Sequence, residues 1–163
     1  MSTDRIEKQV LLRAPRQRVW QAISDAGQFG WWFGVDFDGP FVAGVAVTGR
    51  ITPSKADPEM GKMQEPYAGT RFEWVVERIE PMECMVFRWH PYGVDKDVDY
   101  SKEPMTRIVF ELKDAEGGVL LTVTESGFDS LPPERRAKAF GANEGGWTWQ
   151  MGAIRKYLEG QGG

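Results

Sequence analysis

The chain has 163 residues, of which 41% are hydrophobic and 12% aromatic, and its formal net charge is −4. This length is typical of one domain with a full hydrophobic core, so we interpret residues 1–163 as a single domain. The negative charge argues against nucleic acid or an anionic membrane as a partner, since both favour a basic patch. Cys84 is the one cysteine, which excludes an intramolecular disulfide. With no apolar run near the roughly 20 residues of a bilayer span, we expect a cytoplasmic protein without membrane insertion.

The first part of the chain predicts a strand followed by two short helices. Residues 5–13 alternate between apolar and polar side chains, which indicates a β-strand. Pro15 suits the first turn of a helix, and Val19 and Ile23 belong to its buried stripe. Residues 28–34, with the sequence QFGWWFG, predict a short aromatic turn or a second helix.

The middle of the chain predicts consecutive strands. Six segments have strand-like patterns: residues 35–41, 44–52, 71–79, 82–90, 106–112 and 119–126. Two long connections, residues 53–70 and 91–104, interrupt them, and connections of this length are often functional or mobile. Strands joined in succession by turns form an antiparallel sheet, which leaves one face to be covered.

The end of the chain predicts a long amphipathic helix. Ser130 precedes two prolines and a glutamate, a helix start signal. One apolar stripe follows, made of Phe140, Trp147, Met151, Ile154 and Leu158. Gly141, Gly145 and Gly146 lie within the same span, and each weakens a helix by about 1 kcal/mol, so we expect a bend or a break there. The predicted fold is α+β: an antiparallel six- to seven-stranded sheet wrapped around a long C-terminal helix, with two short helices after the first strand.

Packing features along nearly the whole chain carry a resemblance to a known superfamily. They are Ala14-Pro15 with Val19-Trp20, the tryptophans of QFGWWFG, Gly69 before the strand that ends in Arg78-Ile79-Glu80-Pro81, Glu125-Ser126-Gly127-Phe128, and Gly146-Trp147. Together they resemble the START-related (SRPBCC, helix-grip) superfamily, and within it the homologues of the activator of the heat-shock protein 90 ATPase. The resemblance implies a cavity between the sheet and the long helix that takes hydrophobic small molecules. Lipid carriers, polyketide cyclases and hormone receptors share this fold, so the resemblance implies no reaction type.

Aromatic side chains are the main candidates for the cavity. Six of them are expected on one concave surface: Phe72, Trp74, Phe87, Trp89, Phe110 and Trp147. Any one of these could simply fill the core, but as a set they favour a pocket. We add Trp32 from the aromatic segment and Met151 from the helix stripe to the candidate ligand-binding residues.

Glu125 is the polar candidate for the same site. It continues the inward parity of Leu121 and Val123, and a carboxylate facing an apolar cavity would have a raised pKa and could orient or protonate a ligand. The alternatives are a solvated strand end or a pair with Arg88. His90, the one histidine, has the opposite parity to its apolar neighbours, which favours a structural or exposed role. We assign no catalytic residue, and with one histidine and one cysteine we expect no zinc site and no cofactor.

Three functions remain open from the sequence. The first is a binding module for a small hydrophobic or aromatic molecule, the second a cyclase- or hydrolase-type enzyme using Glu125, His90 or a tyrosine, and the third a chaperone-related or stress-related interaction module. A pocket without a convergent ionisable pair favours the first, two titratable groups near one ligand atom favour the second, and an exposed apolar patch elsewhere favours the third. The expected partner is a small hydrophobic molecule, and a homodimer is left open.

Overall fold

A computed structural model describes residues 4–91 and 99–160 of the chain. Within these residues the chain forms seven β-strands and four α-helices. In chain order they are β1 (Arg5–Leu12), α1 (Arg16–Ser24), α2 (Ala26–Phe33), β2 (Val35–Phe37), β3 (Ala46–Ile51), α3 (Pro58–Gln64), β4 (Arg71–Glu80), β5 (Cys84–Trp89), β6 (Thr106–Ala115), β7 (Gly118–Ser126) and α4 (Pro133–Gly160). Three short 3₁₀ segments join some of these elements: Glu65–Tyr67, Tyr100–Lys102 and Phe128–Ser130.

The strands form one antiparallel sheet in the order β1-β7-β6-β5-β4-β3-β2. The first strand therefore lies at one edge beside the last, with Arg5 opposite Ser126 and Leu12 opposite Val119. Gly117, at φ 87°, allows the tight turn between β6 and β7 because a left-handed backbone favours glycine. This confirms the predicted antiparallel sheet and its strand number.

The alternation of the strands decides which face of the sheet is buried. Along β7 every second residue is buried, beginning with Val119 and ending with Glu125. Successive strand residues point to opposite faces, so these side chains share one side of the sheet. Helix α4 lies against that side, since the Trp147 indole nitrogen of α4 donates to Glu125 of β7 at 2.7 Å. The predicted helix-grip arrangement is confirmed.

Helix α4 runs without interruption from Pro133 to Gly160. Of the bend or break expected near Gly141, Gly145 and Gly146, the break is therefore wrong. All three glycines are exposed, and a Cβ atom at any of them would meet nothing within 4 Å. The glycines weaken the helix locally, but burial of the stripe on the opposite side, including Trp147, outweighs that cost.

The connection between β3 and β4 is more ordered than its composition suggested. It contains α3, whose first turn is capped by Asp57 through hydrogen bonds from the backbone of Glu59 and Met60. Asp57 also forms an ion pair with Lys156 of α4 at 3.1 Å, which ties the connection to the long helix. Residues 92–98 of the other predicted connection lie outside the described residues. In the part of the chain that the structure describes, no helix has both the length and the apolar character needed to cross a membrane.

Candidate functional site

A cavity of about 210 Å³ lies between the end of α2, the strands β3 to β5 and helix α4. Its apolar lining comes from Phe33, Gly34, Val35, Ile51, Phe72 and Trp89. Its polar lining comes from Gln64, Tyr67, His90, Asn143 and Gln150. Tyr67 is 39% exposed, so the cavity reaches the protein surface beside α3. A recess of about 70 Å³ shares Phe33, Trp89, Asn143 and Gln150 with the cavity and adds Gly146 and Trp147.

The end of α2 organises one side of the cavity. Gly34 ends this helix in a left-handed conformation, at φ 90°, and the chain turns from there into β2. The backbone oxygen of Phe33 accepts two hydrogen bonds, from Gln64 Nε2 and from Gln150 Nε2, both at 2.9 Å. A side chain at Gly34 would collide with Gln64. The absence of a side chain at Gly34 therefore lets α3 approach α2. The backbone oxygen of Phe33 connects the end of α2 to α3 through Gln64 and to α4 through Gln150.

Aromatic packing explains why the space beneath the sheet is only partly filled. Phe29 of α2 contacts Trp74, Phe87 and Phe110, with ring centroids 5.6 to 5.7 Å apart. These four rings fill the space between α2 and the sheet. Phe72 and Trp89, whose centroids are 6.1 Å apart, lie on the side that remains open.

Glu125 lies next to the cavity lining and is 0% exposed. Its carboxylate accepts hydrogen bonds from four side chains: Trp89 Nε1 at 2.7 Å, Thr106 Oγ1 at 2.5 Å, Asn143 Nδ2 at 3.0 Å and Trp147 Nε1 at 2.7 Å. Burial raises the pKa of Glu125, and these hydrogen bonds partly oppose the shift. The predicted inward orientation is confirmed. Glu125 is not itself a lining residue, but its partners Trp89 and Asn143 are.

All four groups that bind Glu125 are uncharged. Arg88, the alternative partner, pairs with Glu77 instead. Among the ion pairs of the described residues none includes Glu125. Both carboxylate oxygens accept hydrogen bonds from side chains that line the cavity or the recess. Glu125 therefore positions the indole rings of Trp89 and Trp147 and the amide of Asn143. This arrangement gives Glu125 no direct contact with the cavity.

His90 lies on the cavity lining, although its parity along the strand favoured a structural or exposed role. Its Nδ1 atom is buried and lacks a hydrogen-bond partner among residues 4–91 and 99–160. Burial lowers the pKa of His90, which favours the neutral ring. Cys84, whose thiol pKa is raised by burial, lies at the other end of β5, roughly 20 Å away along the strand. A Cys–His pair is therefore excluded.

The structure distributes the predicted ligand-binding residues over two environments. Phe72 and Trp89 line the cavity, and Trp147 lines the recess. The other aromatic candidates are fully buried in the closed core: Trp32, Trp74, Phe87 and Phe110. Met151 is also buried and is absent from both linings.

Several lining residues were not predicted from the sequence. They are Phe33, Gln64, Asn143 and Gln150. A signal existed for two of them, because Asn143 and Gln150 lie four residues before and three residues after Trp147 on one helix face. Across the described ranges, no group of three or more histidine, cysteine, aspartate or glutamate side chains is placed to hold a metal ion.

The sheet, the long helix and the cavity between them define a START-related, helix-grip domain. Residues 13–159 match the family model described as activator of Hsp90 ATPase homolog 1-like protein, and the chain belongs to that family. A search of curated protein sequences gave no significant match.

Solved structures agree on the fold. DynU16, a protein of the dynemicin biosynthetic locus, is 23% identical with a TM-score of 0.67; the match covers 96% of this chain but 47% of DynU16. Protein MLL2253 from Mesorhizobium loti is 17% identical, with a TM-score of 0.69 and coverage of 95% of this chain and 96% of that one. The Aha1 dimer from Colwellia psychrerythraea is 16% identical, with a TM-score of 0.67 and 98% coverage of both chains. At these identities the likeness concerns the fold.

Proposed function

We propose that the protein binds a small aromatic or hydrophobic molecule in the cavity between the sheet and α4, without chemistry of its own. The observation that carries the proposal is the cavity of about 210 Å³, with aromatic and aliphatic side chains on one part of its surface and amide side chains on another. Small-molecule sites in proteins have this composition, with apolar contacts for affinity and a few polar groups for orientation.

The volume limits the size of the ligand. Drug-sized molecules occupy pockets of about 300 to 1,000 Å³. An apolar cavity of about 150 Å³ is large enough to hold benzene. The cavity here lies between these values, so the proposed ligand has one or two rings.

The chemistry of the lining favours a neutral ligand and binding over catalysis. Among the described residues that line the cavity, none is an aspartate, glutamate, lysine or arginine. The titratable lining residues are Tyr67 and His90. Glu125, the acid–base candidate from the sequence, is separated from the cavity by the side chains that it binds.

A cavity-filling substitution with a matched control tests this proposal. Ile51→Phe adds a ring to the lining, whereas Val45→Phe adds the same ring at an exposed position beside the same strand. We expect the wild-type protein and Val45→Phe to bind indole with equal affinity, measured by isothermal titration calorimetry. Ile51→Phe should bind at least tenfold more weakly, because the ligand volume is occupied. Failure of the wild-type protein to bind indole, or equal binding by both variants, would reject the proposal.

The homodimer and the chaperone-related role stay open alternatives, and the cytoplasmic location stays a prediction. Exposed apolar side chains exist outside the cavity, including Trp31 and Trp149. Single exposed apolar residues are common on protein surfaces and do not by themselves indicate a partner.

A further inference from the structure

Gly49 is a buried glycine within β3, close to the wall of the cavity. Its φ angle lies outside the left-handed region, so the conformation of the chain does not require glycine at this position. A glycine inside a strand weakens the strand and often marks a place where another group approaches closely. The reason for this glycine therefore lies in the side chains around it.

Two aromatic rings meet above Gly49. In the register of the sheet, Phe37 of β2 and Phe72 of β4 lie directly opposite Gly49, one on each side. Directly opposed residues share a face of the sheet, so both rings stand beside the position that a side chain of residue 49 would occupy. A Cβ atom built on Gly49 would lie 2.8 Å from Cζ of Phe72, 2.9 Å from Cγ1 of Val35 and 3.2 Å from Cε1 of Phe37. The tip of the Phe72 ring thus occupies the space above the glycine.

The two side chains nearest to Gly49 are also walls of the cavity, because Phe72 and Val35 both line it. Trp74 and Trp89 flank the Phe72 ring, with ring centroids 6.2 and 6.1 Å away. The cavity of about 210 Å³ is open beside the same ring, which is half-buried. A group added at residue 49 would therefore displace the Phe72 ring toward the cavity, since free volume next to the ring lies there.

We propose that Gly49 determines the size of the ligand that the cavity accepts. Without a side chain at residue 49, the Phe72 ring and a Val35 methyl group lie back against β3 and leave room for two fused rings. This inference rests on the proposed binding function and identifies the residue that sets its size limit. Gly49 is absent from the cavity lining, so it is a positioning residue that acts through Phe72 and Val35.

The expected displacement follows from ordinary carbon–carbon contacts. Two non-bonded carbon atoms prefer a separation of about 3.5–4.0 Å, so alanine at residue 49 would push the tip of Phe72 by about 1 Å. The Val35 methyl group would have to move by a similar distance. The cavity would then narrow at two walls at once. A molecule with one ring needs less of this volume than a molecule with two fused rings, so the change discriminates between ligands by size.

Phenol and indole test this assignment, because each has one hydrogen-bond donor but phenol has one ring and indole has two. Their dissociation constants are measured by isothermal titration calorimetry for wild type, Gly49→Ala, Phe72→Leu and the double variant Gly49→Ala/Phe72→Leu. Gly118→Ala is the matched control, since Gly118 is also a strand residue whose added Cβ would meet a close neighbour, the backbone oxygen of Leu12. Neither Gly118 nor Leu12 lines the cavity. NMR spectra verify that each variant is folded.

We expect Gly49→Ala to weaken indole binding by about tenfold or more and phenol binding by less than about threefold. Gly118→Ala should leave the ratio of the two dissociation constants as in wild type, because a general loss of stability does not distinguish the probes. Phe72→Leu removes the ring tip above residue 49. Adding Gly49→Ala to Phe72→Leu should therefore change the ratio by less than about twofold.

An unchanged ratio in Gly49→Ala would reject the role of Gly49 while the binding function stands. A ratio that changes equally with and without the Phe72 ring would contradict the route through Phe72. A Gly49→Ala protein that does not fold would also overturn the proposal, because the displaced ring would then have no room in the cavity; the double variant, which lacks the ring, shows whether Phe72 is the cause. If wild type binds neither probe, the proposed binding function fails together with the inference.

Discussion

Replacing Glu125 by glutamine should destabilise the protein although the two side chains have the same shape. Each carboxylate oxygen accepts one indole N–H at 2.7 Å, Oε1 from Trp147 and Oε2 from Trp89. An amide has one oxygen and one nitrogen, so either orientation points its N–H₂ group at an indole N–H that cannot accept. One buried donor is left unpaired, at a cost of about 1–3 kcal/mol. Glutamine is neutral, so the variant avoids the cost of burying a charged carboxylate, and this offsets part of the loss.

Urea unfolding of Glu125→Gln at neutral pH measures the effect. Glu111→Gln on the neighbouring strand is the control, because Glu111 is exposed and its replacement should change the free energy of unfolding by less than about 0.5 kcal/mol. We expect Glu125→Gln to lose about 2 kcal/mol against this control. Indole binding should weaken as well, since Trp89 and Asn143 line the cavity. Unfolding free energies that agree within error for Glu125→Gln and wild type would refute the reasoning that the site requires an acceptor at both oxygens.

Four further outcomes follow from the structure. Burial raises the pKa of Glu125 above its ordinary value, so protonation favours the folded state and the free energy of unfolding of wild type should fall as the pH rises through the folded-state pKa. Glu125→Gln lacks this proton, so its loss of stability relative to wild type, measured by urea unfolding across pH, should be larger at acidic pH than at neutral pH. Trp147→Ala should cost about 3–5 kcal/mol in the same assay, because the ring is 2% exposed; a loss below 1 kcal/mol would contradict its burial. Gly145→Ala should raise the melting temperature, since a Cβ there meets open space and alanine stabilises a helix by up to about 1 kcal/mol relative to glycine. Gly34→Ala should lower the melting temperature, because Gly34 has a positive φ and a Cβ there would collide with the Gln64 side chain.

The sheet and the long helix could be predicted because their patterns are local. The alternation of residues along β7 already indicated which side chains face the core. The structure agrees, since Glu125 at the end of this alternation is buried. The apolar stripe of α4 was equally clear, and packing of Trp147 overrode the low helix propensity of the glycines. Helix α3 was missed despite Asp57 and Pro58, a start signal, because its seven residues have no clear apolar period.

The polar part of the site could not be predicted for a different reason. Gln64 and Gln150 acquire their roles from one carbonyl, at Phe33, that is 31 and 117 residues away in the chain. Nothing in the local pattern of a glutamine indicates which distant backbone group the fold will bring to it. Similarly, whether Trp74 fills the core or lines a cavity depends on Phe29 of α2, which the strand pattern does not contain.

The four donors to Glu125 also have a consequence for the order of folding. Thr106 and Trp89 lie 19 and 36 residues before Glu125, whereas Asn143 and Trp147 lie 18 and 22 residues after it, on α4. While the sheet is formed but α4 has not yet docked, the carboxylate lacks two donors and remains hydrated. Its dehydration therefore belongs to the step in which α4 packs against the sheet. If that step follows the pairing of the strands, we expect Glu125→Gln to raise the unfolding rate more than it lowers the folding rate.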